Sequence, residues 1–146
     1  MLIGGLQVQA GELVKDGTCF VCGQENPRGF RLSVRRWDKG AEFEFVAEGT
    51  FRGWNKYLHG GVISLLFDEL LGWTSRFLGY KALTARLEVR YRKPVPIGTP
   101  LLFKGELEGQ RKGLLFIKTM ALLPDGTVAA EGKGTMMIVG KESPSP

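Results

Sequence analysis

His59-Gly60-Gly61-Val62-Ile63-Ser64-Leu65-Leu66-Phe67-Asp68 is the stretch of this sequence that decides the fold. Its apolar run continues through Glu69 to Leu71 and predicts a helix from about Gly60 to Phe77. Glycines that open a helix leave bare backbone N–H groups at its positive end, where a developing oxyanion can be held. A carboxylate two turns further along supplies the second half of a hydrolytic site. The stretch therefore indicates both a helix and a hydrolytic site.

The predicted helix is apolar on nearly every face, which is typical of a helix that is buried on all sides. One stripe differs, because small or polar residues recur on it at spacings of three and four and therefore share a face. These residues are Gly61, Ser64, Asp68, Gly72 and Ser75. The stripe leaves room for a second helix of the same kind, for a ligand, or for both.

Runs that alternate apolar with polar residues predict strands on both sides of the helix. Before it, Phe30–Val34 and Glu42–Val46 alternate in this way, and Asp38-Lys39-Gly40 predicts the turn of a hairpin. After it come four strand-like runs, Leu83–Arg92, Pro100–Glu108, Gly113–Leu123 and Val128–Val139. No second helix serves as a parallel crossover, so we expect the last four strands to form a meander. The fold class is α+β, with a mostly antiparallel sheet of about six strands wrapped around one long central helix.

The length of 146 residues predicts a single domain, because two cores would each be too small to bury enough apolar surface. We divide it into an N-terminal loop over 1–29, a core over 30–139 and a frayed tail over 140–146. No apolar run approaches the ~20 residues of a membrane span. Met1–Gln9 lacks the basic start and the apolar region of a secretory signal. We therefore expect a cytoplasmic protein with no membrane partner.

The net charge of +5 is compatible with a nucleic acid, an anionic membrane surface or a phosphate-bearing small molecule. The cations are spread through the predicted strands and are not gathered in a tail or in one recognition helix. That distribution suits a polyphosphate ligand at least as well as DNA.

The spacing of Gly61 and Asp68 constrains how they can act together. Seven residues place Asp68 roughly 10 Å further along the helix axis. A carbonyl oxygen ~3 Å from the Gly61 N–H has its carbon only a few ångströms away, so the Asp68 of the same helix reaches it poorly. A second, antiparallel copy of the helix brings its own Asp68 back toward Gly61. We therefore expect a site shared between two subunits of at least a homodimer, with a homotetramer left open.

Two stretches of the sequence match a known family. The stretch His59 to Asp68 and the stretch Leu83-Thr84-Ala85-Arg86-Leu87-Glu88-Val89-Arg90-Tyr91-Arg92-Lys93-Pro94-Val95-Pro96 resemble the hotdog-fold acyl-CoA thioesterases of the PaaI-like superfamily. The resemblance covers about residues 17–139. An acid nine positions after the histidine of a His-Gly-Gly helix start is fairly specific to this group, and less specific for substrate.

The resemblance implies a role for each motif residue. The Gly61 N–H polarises the thioester carbonyl, and Asp68 of the facing subunit acts as general base on water or as nucleophile. Thr84, sixteen positions after Asp68, falls where related enzymes carry a Ser or Thr that positions the water, although a strand-edge hydroxyl without a catalytic role explains it equally well. His59 matches the motif histidine, which helps to hold the substrate or the loop, and is not assigned as the base.

Further residues are candidates for substrate binding. Near the motif these are Gly60, Asn55 and Ser64. For the CoA phosphates they are basic residues near strand ends, Arg90, Arg92, Lys93, Arg111 and Lys112. For an apolar or aromatic acyl group they are Trp54, Tyr57, Phe67 and Trp73. Each of these aromatic residues is equally compatible with an ordinary core position.

The sequence departs from the family pattern six residues before the motif histidine. Many relatives carry Asn there, whereas this chain has Gly53, and Asn55 is only a weak substitute. Glu69 is a rival to Asp68, because some hotdog thioesterases use Glu, but the register with His59 favours Asp68.

Cys19-Phe20-Val21-Cys22-Gly23, followed by Asn26-Pro27-Arg28-Gly29-Phe30, resembles a segment found before the first strand in a microbial subset of this family. Zinc takes four ligands and this motif supplies two, so a site needs completion across a dimer or by another residue. We expect a structural knuckle-like turn here, and neither a metal nor a cofactor.

The sequence thus predicts hydrolysis of acyl-CoA thioesters to free acid and CoA. The main alternative is a non-catalytic hotdog module that binds acyl-CoA as a sensor or as an assembly subunit. Nucleic-acid binding is the weakest alternative, because no DNA-reading motif and no basic tail is present.

Overall fold

A computed structural model describes residues 13–142 together with the backbone of two short strands near the N-terminus. These strands, β1 (Leu2–Ile3) and β2 (Leu6–Gln7), pair antiparallel with each other. The predicted N-terminal loop thus includes a short strand pair. The tail predicted to begin at residue 140 is shorter than expected, because the last strand continues to Lys141, and residues 143–146 lie outside the described part.

One helix and six strands form the body of the molecule. In chain order they are β3 (Arg35–Trp37), β4 (Gly40–Val46), α1 (Gly60–Phe77), β5 (Tyr80–Tyr91), β6 (Pro100–Arg111), β7 (Leu114–Leu122) and β8 (Val128–Lys141). The strands lie in one antiparallel sheet in the order β3-β4-β6-β7-β8-β5. The predicted six-stranded antiparallel sheet with one long helix is confirmed, and the helix bounds agree with those read from the sequence.

The first predicted strand is misplaced. Phe30–Val34 forms no strand, and the edge strand of the first hairpin is Arg35–Trp37. The alternation of Phe30–Val34 has another cause. Phe30 and Leu32 donate their backbone N–H groups to the carbonyls of Phe20 and Val21, 3.0 Å away in both cases. Phe30 also stacks on Phe51, with 4.6 Å between the ring centroids. The segment therefore pairs with the cysteine-containing loop and covers one end of the core.

The predicted meander is also wrong in one respect. β5 pairs with β8, whereas β6 pairs with β4, where Phe43 lies opposite Phe103. The chain between β5 and β6 crosses to β4 and is fixed on the loop before the helix, since Val95 accepts from the Leu58 N–H at 2.8 Å. This places β5 at an edge of the sheet, and the side chains of its residues 84–86 are exposed.

Glycines on the inner face of the sheet let α1 approach closely. A Cβ at Gly134 would lie 2.4 Å from Leu71, one at Gly132 would lie 3.0 Å from Phe67, and one at Gly105 would lie 2.8 Å from the Thr74 hydroxyl. Three side chains of α1 therefore pack directly against the backbone of these three strand glycines. The side chains of Phe67 and Leu71 are fully buried there. Among the described residues, no helix combines the length and the hydropathy needed to cross a membrane.

Candidate active site

The start of α1 is capped by the motif histidine. His59 is the N-cap residue, and its Nδ1 accepts a hydrogen bond from the Gly61 N–H at 2.8 Å. A side chain at Gly61 would place its Cβ 2.9 Å from that nitrogen, so the glycine leaves room for the imidazole of the cap. Because Nδ1 is the acceptor, a neutral His59 carries its proton on Nε2. The Gly61 N–H predicted to hold the oxyanion is thus paired with His59 in this structure.

Tyr91 ties the end of β5 to this helix start. Its hydroxyl donates to the Gly60 carbonyl at 2.8 Å and therefore accepts from the Ser64 hydroxyl, 2.6 Å away. Gly60 again permits the close contact, since a Cβ there would lie 3.3 Å from the Tyr91 ring. Sequence reasoning missed Tyr91 as a site residue. The only signal available was its place at the polar end of a predicted strand.

Asp68 and Thr84 form the acidic half of the site. Asp68 lies exposed on the open stripe of α1, and the Thr84 hydroxyl of β5 donates to its Oδ1 at 2.6 Å. The register of β5 against β8 shifts between Thr84 and Arg86, which is a bulge of the kind that re-aims side chains next to active sites. In the single chain the Asp68 side chain is open to solvent.

Glu69 points to a different part of the molecule. Its Oε1 accepts from the Trp73 indole N–H at 3.0 Å, and its carboxylate lies beside Cys19 and Cys22. The side chains of these two neighbouring acids therefore point to different sides of α1, and only Asp68 lies on the stripe that also holds Gly61. The register argument that favoured Asp68 over Glu69 agrees with this geometry.

The remaining residues of the predicted stripe divide in the same way. Gly61 and Gly72 are exposed and Ser64 is half-buried, so the open surface runs along the first three turns. Ser75 is fully buried and donates to the Leu71 carbonyl at 2.8 Å, so it does not belong to the open face.

Gly53 stands where many relatives carry Asn, and its backbone lies against His59. A Cβ at Gly53 would lie 3.2 Å from both the Cα and the Cδ2 of His59, so a side chain here would push the motif histidine away. Asn55 is exposed in the turn closed by the Tyr57 N–H and the Trp54 carbonyl, and makes no hydrogen bond within the described part of the chain. The Gly53 backbone thus lies against His59.

The five basic candidates fall at opposite ends of β5. Arg90, Arg92 and Lys93 are exposed near Tyr91 and the helix start. Arg111 at the end of β6 and Lys112 in the following turn are exposed as well. The turn lies beside the start of β5, because Met137 pairs with both Leu114 and Leu83. It is therefore roughly 25 Å from Tyr91 along the sheet. One chain therefore does not bring all five together.

Arg92 already has a partner. Its guanidinium lies 2.6 Å from Glu131, and this contact holds the pKa of the Glu131 carboxyl below its usual value.

The four aromatic candidates are split between a cleft and the core. Trp54 and Tyr57 line an open cleft of about 840 Å³ that also touches His59 and Gly60. Phe67 is fully buried against Phe103, and Trp73 packs against Phe77 and Lys15. Phe67 and Trp73 are therefore not lining residues of this cleft.

The cysteine loop packs on the far side of α1. Burial, together with the neighbouring Glu69, raises the pKa of the Cys22 thiol to about 12.

The sequence also matches known proteins. A family model described as the thioesterase superfamily matches residues 55–130, slightly more than half of the chain. This span contains the whole of α1 and β5.

Solved structures with the same fold include CoA complexes. The smu.793 protein of Streptococcus mutans, bound to acetyl CoA, is 21% identical with a TM-score of 0.72 over 77% of this chain and 91% of that one. A hypothetical thioesterase of Streptococcus pneumoniae with coenzyme A is 19% identical with a TM-score of 0.72 over 77% of this chain and 91% of that one. Two further structures of the pneumococcal protein carry alanine in place of an aspartate and of a threonine sixteen positions later.

The PaaI protein of Escherichia coli, from the phenylacetic acid degradation operon, is 16% identical with a TM-score of 0.71 over 77% of this chain and 82% of that one. At these identities the likeness concerns the fold. The hotdog fold predicted from the sequence is confirmed.

Proposed function

The chain belongs to the thioesterase superfamily, and from this premise we propose that it hydrolyses acyl-CoA thioesters to the free acid and CoA. The proposal is supported by structural neighbours that hold acetyl CoA and CoA. It is supported further by the aspartate and threonine substituted in the pneumococcal protein, which have the spacing of Asp68 and Thr84.

The observation that carries the proposal is the Asp68–Thr84 pair on the open stripe of α1. The carboxylate is exposed, its Oδ1 is held by the Thr84 hydroxyl at 2.6 Å, and its second oxygen is left to face a water or a carbonyl carbon. A carboxylate fixed by one hydrogen bond and free on the other oxygen is suited to general-base or nucleophilic work. The same stripe ends at Gly61, where the positive end of the helix attracts an oxyanion.

The proposed reaction requires an exchange at the helix start. The substrate carbonyl oxygen takes the place of His59 Nδ1 as acceptor of the Gly61 N–H, and the imidazole turns away. Asp68 then removes a proton from water as the water attacks the carbonyl carbon. In the nucleophilic alternative Asp68 attacks that carbon itself, and a water then hydrolyses the acyl–Asp68 anhydride to the free acid after the thiolate has left. Collapse of the tetrahedral intermediate breaks the carbon–sulfur bond, and the CoA thiolate leaves and takes up a proton. His59 thus caps the helix start in the free protein, and the substrate displaces it.

A shared site between two copies follows from the distances. Asp68 lies roughly 10 Å along the helix axis from Gly61 of the same chain, beyond reach of a carbonyl held there. β5 is an edge strand with exposed residues 84–86, and such an edge offers its backbone to another copy. We therefore place Asp68 of one subunit opposite Gly61 of the other in a homodimer.

The same pairing assigns the substrate-binding candidates. An antiparallel copy brings the β6–β7 turn of one subunit, with Arg111 and Lys112, toward the helix start of the other. There they join Arg90 and Lys93, which carry charge suited to CoA phosphates. The cleft at Trp54 and Tyr57 adjoins Gly60 and gives an apolar or aromatic acyl group a surface to lie on.

The test is thiol release from a panel of short, long and aromatic acyl-CoAs by wild type, Asp68→Asn and Asp38→Asn. The last is a matched control, because it makes the same side-chain change in the exposed β3–β4 turn. We expect Asp68→Asn to lower kcat at least ~100-fold, a loss of ~2.7 kcal/mol in transition-state stabilisation, and Asp38→Asn to retain the wild-type rate.

Two outcomes contradict the proposal. Equal rates for wild type and Asp68→Asn remove Asp68 from the chemistry. Binding of acyl-CoAs by wild type without turnover of any of them indicates the sensor or assembly module instead.

A further inference from the structure

Three side chains with metal-binding atoms converge on the side of α1 opposite the stripe. The Sγ atoms of Cys19 and Cys22 and a carboxylate oxygen of Glu69 all lie within 4.8 Å of one another. Cys22 is buried, and the other two are half-buried. The sequence could not bring these residues together, because Glu69 comes 47 positions after Cys22 and meets it only through the fold.

The loop that carries the two cysteines has the form of a knuckle. The Val21 N–H points at Cys19 Sγ at 3.4 Å, and the Gly23 N–H donates to the Cys19 carbonyl at 2.9 Å. A Cβ at Gly23 would lie 2.4 Å from the Gly17 carbonyl oxygen and 2.5 Å from the Cys19 nitrogen, so only glycine closes this turn. A backbone N–H directed at the Cys19 sulfur orients that atom as an outer hydrogen bond orients a metal ligand.

The separation of the three atoms is close to that of a tetrahedral zinc site. Sulfur ligands at about 2.3 Å from Zn²⁺ lie about 3.8 Å apart in a tetrahedron, so shifts on the order of 1 Å complete the coordination. Thiolates together with a carboxylate are ligands that Zn²⁺ accepts. A cleft of about 450 Å³ borders all three side chains and admits water to the fourth position.

Neighbouring groups complete the environment. The Trp73 indole N–H holds Glu69 Oε1 at 3.0 Å, and a hydrogen bond from outside the coordination sphere of this kind orients a metal ligand. Two thiolates and a carboxylate carry three negative charges, so bound Zn²⁺ leaves one. The Lys15 ammonium, 2.7 Å from Cys22 Sγ, balances that charge.

We propose that Cys19, Cys22 and Glu69 bind one Zn²⁺, with water as the fourth ligand. The ion fastens the cysteine loop to the middle of α1, one residue away from Asp68. The role of the Zn²⁺ ion is to position the helix, and the ion does not contact the thioester.

The test uses the full-length protein, reduced and freed of metal by a chelator, and titrated with Zn²⁺ and with Co²⁺. We expect one equivalent of Zn²⁺ to bind, and Co²⁺ to give the sulfur-to-cobalt charge-transfer absorption of thiolate ligands. Cys19→Ser and Glu69→Gln are expected to weaken Zn²⁺ binding more than ~100-fold. Glu142→Gln is the matched control, because Glu142 borders the same cleft and pairs with Arg76 instead of the cysteines.

The wild-type titration decides the matter even where a variant fails to fold. Absence of Zn²⁺ binding by the reduced protein overturns the proposal, as does formation of a Cys19–Cys22 disulfide that leaves no thiol for the ion. Unchanged affinity in Glu69→Gln contradicts the assignment of the third ligand.

Discussion

His59 has two proposed roles, and both concern the backbone N–H of Gly61. The side chain caps α1 through Gly61 in the free protein, whereas the proposed reaction needs that N–H for the substrate carbonyl. A cap that is worth about 1 kcal/mol is weak enough to be exchanged for an oxyanion and strong enough to be measured. The capping role of His59 is thus best tested by measuring the free energy of unfolding.

Replacing His59 by Ala is expected to lower the free energy of unfolding by about 1 kcal/mol, because the Gly61 N–H loses its acceptor. Urea unfolding followed by circular dichroism measures the change. His59→Asn is the control, since Asn is a strong N-cap and should keep most of the stability. In the thioesterase assay His59→Ala should lose less than tenfold in kcat, far less than Asp68→Asn. A loss as large as that of Asp68→Asn would mean that the imidazole takes part in the chemistry.

Local patterns in the sequence predict candidate site residues, but not the side chains that contact them in the fold. Register with His59 was enough to favour Asp68 over Glu69, because the acid of the family motif stands nine positions after its histidine. The partners of these side chains come from elsewhere in the chain. Tyr91 at the helix start and the cysteines beside Glu69 reach α1 only through the fold, so no local pattern indicated these contacts.

Among the elements, α1 depends on three glycines in the sheet beneath it. Periodicity alone predicted the helix and its bounds, but it contains no information on how closely a helix approaches its sheet. That distance is set by Gly105, Gly132 and Gly134, whose missing side chains make room for Thr74, Phe67 and Leu71. The first strand was misplaced for a related reason. An alternating burial pattern arises in Phe30–Val34 from packing without a strand ladder, and periodicity cannot tell the two apart.

Replacing Gly134 by Ala is expected to destabilise the protein by about 1–3 kcal/mol, because the added Cβ would lie 2.4 Å from the fully buried Leu71. Thermal and urea unfolding measure the effect. Gly49→Ala is the control, since no atom lies within 4 Å of the Cβ position and its φ is not positive. We expect that variant to stay within about 0.5 kcal/mol of wild type. Equal stability of the two variants would show that the helix can shift away from the sheet without cost.

For the whole molecule, the arrangement of the sheet follows from contacts far apart in sequence. The long segment between β5 and β6 leaves β5 at an edge, which a strand count did not predict. That edge, together with the open stripe of α1, is the surface that a second copy would cover. The proposed site is then complete only in the assembly, because each chain supplies Gly61 to one site and Asp68 to the other.

Mixing two inactive variants tests this division directly. Asp68→Asn lacks the base, and Gly61→Pro lacks the N–H at a first-turn position where proline fits a helix. When equal amounts are unfolded together and refolded, half of the dimers are mixed, and each mixed dimer has one intact site. We expect the mixture to recover about a quarter of the wild-type rate, while each variant refolded alone stays inactive. The double variant refolded with itself is the control for residual turnover, and light scattering confirms that the mixed species is a dimer. A mixture no more active than its parts would place Gly61 and Asp68 of the same chain in one site.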